Sequence, residues 1–170
     1  MGDYPYAGAH ASIRGYGRVG GPVILAGNAV VDGNVGDIPF FEQAYFGGLQ
    51  RTGIGGRYLL RGLVEERLRG DGLVAGQGEV RFRLGESTIL NRLDVRWTLA
   101  TFADMGWVFE WDQSVEEAAE PYVTGGGGAR FTLNDLLVVR VDVGVGVDRW
   151  EDPPLRRAQP QIYMLAAQPF

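Results

Sequence analysis

The chain has 170 residues, of which 45% are hydrophobic, and a formal net charge of −5. This length suits a single domain, and the acidic balance argues against a nucleic-acid partner, which would require a basic face. There is no cysteine, so disulfide frameworks and thiolate sites are excluded. Apolar runs are only a few residues long, which predicts no transmembrane helix. The 27 glycines and 11% aromatic residues are typical of bent strands and of aromatic belts.

Alternation of apolar and polar residues recurs along the chain and predicts seven β-strands in antiparallel order. In chain order the predicted strands are Ala7–Gly17, Val23–Val35, Val74–Leu84, Leu93–Trp111, Tyr122–Leu133, Leu137–Asp148 and Gln161–Phe170. Tight turns are predicted at Gly20-Gly21-Pro22, Gly85-Glu86-Ser87 and Asn134-Asp135. The longer connections are residues 36–72, 113–121 and 149–160. Short and long connections therefore alternate, as they do in outer-membrane barrels.

The fourth predicted strand shows the alternation most clearly. Its odd-numbered positions carry apolar and aromatic residues, among them Trp97, Trp107 and Trp111, whereas its even-numbered positions include Asp94 and Asp104. Successive residues of a strand point to opposite faces, so one face is apolar and the other is charged. A soluble sandwich also alternates, but this strand is far longer than the usual 5–6 residues. We therefore predict an all-β fold, an antiparallel transmembrane β-barrel, with residues 1–170 as a single domain and residues 36–72 as a long external loop.

A series of short segments carries a resemblance to a known family. In order, the segments are Phe40–Gly48, Leu59–Leu63, Gly78–Phe82, Phe102–Gly106, Gly128–Phe131, Val139–Gly144 and the terminal Phe170. Over roughly residues 20–170 the series resembles the last strands of the BamA/TamA-like surface-antigen barrels of the bacterial outer membrane. Family barrels have an even strand number, sixteen. The resemblance thus implies part of a larger barrel, an eight-stranded short relative, or an open sheet that another chain completes.

The resemblance also implies a site inside the barrel. In the family, an Arg-Gly-aromatic motif at the tip of the long loop folds back into the lumen, where the arginine meets acidic residues of the wall. By position, the motif is Arg61-Gly62 and the acids are Glu79 and Asp104, while Leu63 replaces the aromatic residue. The residues alone agree with this hypothesis, because both acids fall on the polar face of their strands, where a guanidinium is a suitable partner.

The last predicted strand resembles the sorting signal that the barrel-assembly machinery reads. It ends on Phe170, and Ile162, Met164 and Ala166 alternate behind this aromatic residue. Pro169 cannot donate a ladder hydrogen bond, which is tolerable at a strand end. The alternative interpretation is an ordinary edge strand.

The family resemblance implies a protein that inserts or translocates outer-membrane polypeptides through a lateral seam. The expected partners are outer-membrane lipid, the assembly machinery, and either a second copy or the missing N-terminal half of the barrel. Unpaired strand edges are costly in lipid, so we expect the first and last strands to pair with each other or with a second copy. Two alternatives stay open. One is a bare structural anchor or pore, and the other is a soluble or periplasmic β-barrel that binds an apolar ligand with its aromatic face turned inward.

No enzymatic chemistry is expected. The single histidine, His10, gives no support to a histidine metal site or a Ser-His-Asp triad. Gly15–Gly20 matches the G-x-G-x-x-G pattern, but Gly21-Pro22 and a β-like segment follow it instead of a helix. We therefore predict no cofactor, no metal and no nucleic acid.

Overall fold

The structure, a computed structural model, describes residues 5–38, 59–63, 70–89, 92–111, 121–147 and 160–167. These residues form one seven-stranded antiparallel sheet, which confirms the prediction of an all-β chain with seven strands. The strands are β1 (Tyr6–Gly20), β2 (Val23–Gly36), β3 (Gly72–Ile89), β4 (Leu93–Phe109), β5 (Tyr122–Leu133), β6 (Leu137–Val147) and β7 (Gln161–Ala167). Within the described ranges, no helix is long and apolar enough to cross a membrane.

Each strand pairs only with its neighbours in sequence, in the order β1 to β7. The ladders are long: β3 and β4 pair from Gly72 opposite Phe109 to Ile89 opposite Leu93. The sheet is not closed, because in the described part of the chain β1 and β7 are its two edges. The expected pairing of these two strands with each other is therefore not seen.

The turn at Asn134-Asp135 forms where the sequence predicts it. Both residues have positive φ, 47° and 56°, which Asn and Asp tolerate better than most residues. The N–H of Leu136 donates to the carbonyl of Leu133 at 2.9 Å and closes the turn.

The predicted turn at Gly85-Glu86-Ser87 is wrong. Strand β3 continues through these residues to Ile89, and the ladder with β4 shifts register between Arg83 and Gly85. Gly85 has φ +152°, a conformation that residues with a side chain rarely adopt. A glycine within a strand can mark a bulge as well as a turn, and here the bulge is formed.

The two faces of the sheet differ sharply. The outer face exposes large apolar side chains, including Leu25, Val31, Phe82, Trp97, Leu99, Met105, Val143, Ile162 and Met164. The inner face buries polar and charged side chains, namely Asp32, Asn34, Glu79, Asp104, Thr124, Arg130 and Asp142. A small apolar cluster lies at one end of the inner face and contains Val30, Leu59, Leu60, Leu63, Leu73, Ala75 and Val108. Charged side chains are almost never fully buried unless they are paired, so the buried charges of the inner face need partners.

Candidate functional site

The segment Leu59–Leu63, part of the connection between β2 and β3, lies against the inner face and is buried throughout. We call it the inner segment. It contacts the wall where β4 and β6 carry glycine. A Cβ atom on Gly144 would lie 2.6 Å from the carbonyl oxygen of Arg61, and one on Gly106 would lie 2.7 Å from Leu60 Cδ1. These distances are too short for real atoms, so the missing side chains make room for the inner segment.

Arg61 is the centre of the site and is only 3% exposed. Its Nε and Nη2 donate to the two carboxylate oxygens of Asp104 at 2.9 and 2.8 Å, which is the bidentate geometry that favours arginine. Its Nη1 donates to Glu79 Oε2 at 2.6 Å. The backbone N–H of Arg61 also donates to Asp104, at 3.0 Å. The structure thus brings together the arginine and the two acids that the family resemblance suggested.

Further charged residues surround this arginine. Arg130 on β5 donates to Glu79 and to Asp142, both at 2.8 Å. The carboxylate of Asp142 on β6 also lies 3.7 Å from Arg61 Nη1 and is hydrogen-bonded to Arg140. Arg81 donates to the other oxygen of Glu79 at 2.6 Å. The buried carboxylates of this network, those of Glu79, Asp104 and Asp142, therefore each face arginine, which offsets the cost of removing their charge from water.

Phe102 on β4 completes the surroundings of the guanidinium. The Cζ atom of Arg61 lies 3.6 Å from the centre of the Phe102 ring, within cation–π range. The ring has room because Gly126 stands opposite Phe102 on β5, where a Cβ would lie 2.7 Å from the ring. Arginine suits this place because its planar guanidinium can stack on a ring while donating in several directions.

Burial disfavours the charged form of Arg61. The hydrogen bonds and charges of Asp104, and then of Glu79, more than offset this effect, so the pKa of Arg61 is raised above its ordinary value. The guanidinium therefore stays charged at any physiological pH. This ion-pair network cannot act as a proton donor through Arg61.

The residues after Arg61 are held by the last strand. The hydroxyl of Tyr163 on β7 accepts the N–H of Gly62 at 3.1 Å and donates to the carbonyl of Leu63 at 2.7 Å. The inner segment thus contacts β3, β4 and β6 through Arg61 and β7 through Gly62 and Leu63. Strands lie about 4.8 Å apart, so in a flat sheet β3 and β7 would be too far apart for one five-residue segment to contact both. The sheet must curl around the inner segment.

A cavity of about 740 Å³ lies on the β1 side of the network. It is lined by the inner faces of β1 to β3, by the inner segment and by Arg140 of β6. The wall is largely polar. Its side chains include His10, which is 2.8 Å from Asp32, and Asn28, which donates to Gln77 at 2.9 Å.

The predicted sorting residues are on β7. Ile162, Met164 and Ala166 all lie on the exposed outer face, as their alternation predicts. Phe170 and Pro169 lie outside the described residues, as does the segment Phe40–Gly48.

Sequence reasoning missed several members of the site, namely Arg130, Asp142, Phe102, Tyr163 and Gly144. Alternation had already assigned Asp142 and Phe102 to the polar face of their strands. The sequence does not give the strand register, which places Gly128 and Tyr163 opposite Asp142 on the two neighbouring strands. Spacing along one strand carries no information on that pairing.

The fold and site together define a class of protein: an open, curled antiparallel sheet with an apolar outer face and a segment held by arginine–carboxylate pairs on its charged inner face. Comparisons with known proteins add no family to this description. No family model matches the chain, and neither a curated protein nor a solved structure is significantly similar to it.

Proposed function

We propose that this chain forms part of an integral outer-membrane β-barrel, related to proteins that insert or translocate outer-membrane polypeptides. The observation that carries the membrane part of the proposal is the reversal of the two faces. The exposed outer face is apolar, with Leu99 48% and Met105 42% exposed. The buried inner face holds Asp104 and Asp142 at 1% and 0% exposure. Lipid favours the first arrangement, and a closed lumen favours the second.

The dimensions of β4 support the same proposal. Trp97 and Trp107 lie on the outer face, ten residues apart. At about 3.4 Å per residue and a tilt of about 40°, this separation spans roughly 26 Å across a bilayer, close to the apolar band of about 25 Å in outer-membrane barrels.

Each end of this span is rich in aromatic side chains. Trp97 packs edge-on against Phe131 at 5.0 Å, and Phe109 packs against Trp111 at 4.9 Å. The indole N–H of Trp97 donates to Ser87 Oγ at 2.8 Å, and that of Trp111 donates to the carbonyl of Asn34. Tryptophan with an apolar body and a satisfied polar end suits a membrane interface.

The free edges decide how such a barrel would close. Six antiparallel pairings separate β1 from β7, so these two strands run in the same direction. Closure of the sheet on itself, or with a second copy in the same orientation, would require a parallel seam. A copy in the opposite orientation would put its long connections on the other side of the membrane. An antiparallel closure instead needs a partner segment with an odd number of strands, so we favour a missing part of the barrel over a second copy.

The insertion role rests on the family resemblance of the Arg61 segment and the ordered strand segments. In that mechanism the seam beside β7 opens, and client strands add to its edge by β-augmentation. The inner segment braces the lumen meanwhile. A structural anchor or pore would share the membrane barrel without this activity. The apolar-ligand alternative has less support, because its aromatic face would have to line the polar cavity.

The first test is tryptophan fluorescence in vesicles that contain brominated lipid. Variants retaining only Trp97, Trp107 or Trp111 are refolded into the vesicles, and resistance to protease reports folding. We expect strong quenching from a protease-resistant chain. Unquenched fluorescence from a folded chain would contradict the membrane proposal.

The insertion role has its own test. Vesicles carrying the folded, membrane-embedded protein are tested for faster insertion of an unfolded barrel client. Equal rates with and without the protein would leave an anchor or pore.

A further inference from the structure

The hydroxyl of Tyr163 links two parts of the molecule that are distant in sequence. It bonds the two residues that follow Arg61, accepting from Gly62 and donating to Leu63. Both bonds go to backbone atoms of the inner segment, so they depend on where that segment lies and not on its side chains. Tyr163 itself lies on an edge strand, opposite Asp142 of β6.

Strand β7 has less ladder support than the other strands. It pairs with β6 over seven positions, from Val138 opposite Ala167 to Gly144 opposite Gln161, and its other edge is free in the described part of the chain. The ladder between β3 and β4 extends over seventeen pairs by comparison. Two additional hydrogen bonds to the inner segment are therefore a substantial part of what holds β7.

The inner segment is in turn anchored elsewhere. Arg61 bonds Glu79 on β3 and Asp104 on β4, and its hydrogen bonds do not involve β7. The segment is thus fixed at Arg61 by charge pairs to the middle of the sheet, and at Gly62 and Leu63 by the Tyr163 hydroxyl. Weakening either anchor must therefore weaken the other, because the coupling free energy between two sites is reciprocal.

We propose that Tyr163 is a positioning residue that couples the seating of the inner segment to the attachment of edge strand β7. When the inner segment leaves the wall, β7 loses two hydrogen bonds and separates from β6 more readily. When β7 separates, the inner segment loses the same two bonds and unseats more readily. The coupling rests on this geometry alone. In a barrel that works as proposed above, it would make the seam beside β7 responsive to the loop.

One arm of the test measures seating of the inner segment by tryptic cleavage after Arg61 in the folded chain. The seated arginine is buried, so cleavage requires unseating, and the rate follows the unseated population. Tyr163→Phe keeps the ring and removes the hydroxyl. We expect cleavage after Arg61 to accelerate about fivefold to thirtyfold in this variant, because the loss of two hydrogen bonds raises the unseated population by that factor. The control is Tyr16→Phe, a tyrosine of the same face with its ring near Arg81, which should leave the rate unchanged.

The other arm measures β7 by hydrogen exchange of its backbone amides. Arg61→Ala leaves the sequence of β7 intact and removes the ion pairs that hold the inner segment to β3 and β4. We expect faster exchange in Gln161–Ala167 in this variant, and no further acceleration when Tyr163→Phe is added. Unchanged cleavage in Tyr163→Phe, or wild-type exchange in Arg61→Ala, would overturn the coupling. Both readouts need only a folded chain, so a failed lipid-quenching experiment leaves them interpretable.

Discussion

At the scale of single residues, Arg61 determines what the inner face can hold. Three buried or nearly buried carboxylates, those of Glu79, Asp104 and Asp142, lie within 4 Å of its guanidinium nitrogens. A lysine would offer one point charge to these acids, whereas arginine donates in several fixed directions and also stacks on Phe102. The sequence contains no lysine anywhere, so every permanently charged cation on the inner face is an arginine, the type that suits this geometry.

We expect Arg61→Ala to lower the free energy of unfolding by about 3–5 kcal/mol, because it leaves buried Asp104 without its bidentate partner. Denaturant unfolding of the chain in lipid vesicles measures the change. Arg14→Ala is the matched control, since Arg14 has no ion pair among the described residues, and it should change stability by less than about 0.5 kcal/mol. Equal effects of the two substitutions would show that the Arg61 network does not stabilise the fold.

At the scale of elements, the strands could be predicted more reliably than their ends. The two-residue period placed all seven strands, and Asn134-Asp135 was identified as a turn by its chemistry. Gly85 was misassigned because glycine permits both a turn and a bulge, and only the pairing of β3 with β4 distinguishes them. The approach of Leu59–Leu63 to the wall was suggested by resemblance, while the glycines that make room for it could be recognised only once the register was known.

The direction of the edge strands leads to a prediction that the absence of cysteine makes easy to test. Ile13→Cys with Met164→Cys places one thiol on β1 and one on β7. We expect no disulfide between them under oxidising conditions, within or between copies, because closure there requires a parallel seam. The positive control is Val141→Cys with Met164→Cys, which are paired across β6 and β7 and should form a disulfide at that spacing. An efficient bond in the β1–β7 pair would show that the chain closes on itself or with its copy.

At the scale of the whole molecule, the two faces have opposite solvent preferences. The ion pairs that Arg61 and Arg130 form with Glu79, Asp104 and Asp142 are enclosed by the curled sheet and the inner segment, while the apolar outer face is left uncovered. Exposed apolar area on this scale marks an interaction surface. Large apolar side chains are exposed on the outer face of every strand except β5, an extent that fits the proposed lipid-facing surface better than a local protein contact.

We expect Leu99→Arg to lower the stability of the protein in lipid vesicles by about 1–3 kcal/mol, because Leu99 lies within the proposed apolar band. Leu136→Arg, at an exposed leucine of the turn between β5 and β6, should have little effect. Unfolding in vesicles measures both. If the face is covered by water instead, each substitution replaces an exposed leucine and both effects should stay within about 0.5 kcal/mol.

The strand content and the division into an apolar and a charged face follow from a local period of two and could therefore be predicted from the sequence alone. Which residues meet across the sheet depends on the tertiary structure. Register brought Asp142 and Arg130 to Glu79 and Arg61, glycines at facing positions admitted the inner segment, and curling of the sheet brought Tyr163 to Gly62. These contacts join residues up to 101 positions apart, and no local preference of the chain encodes such distances.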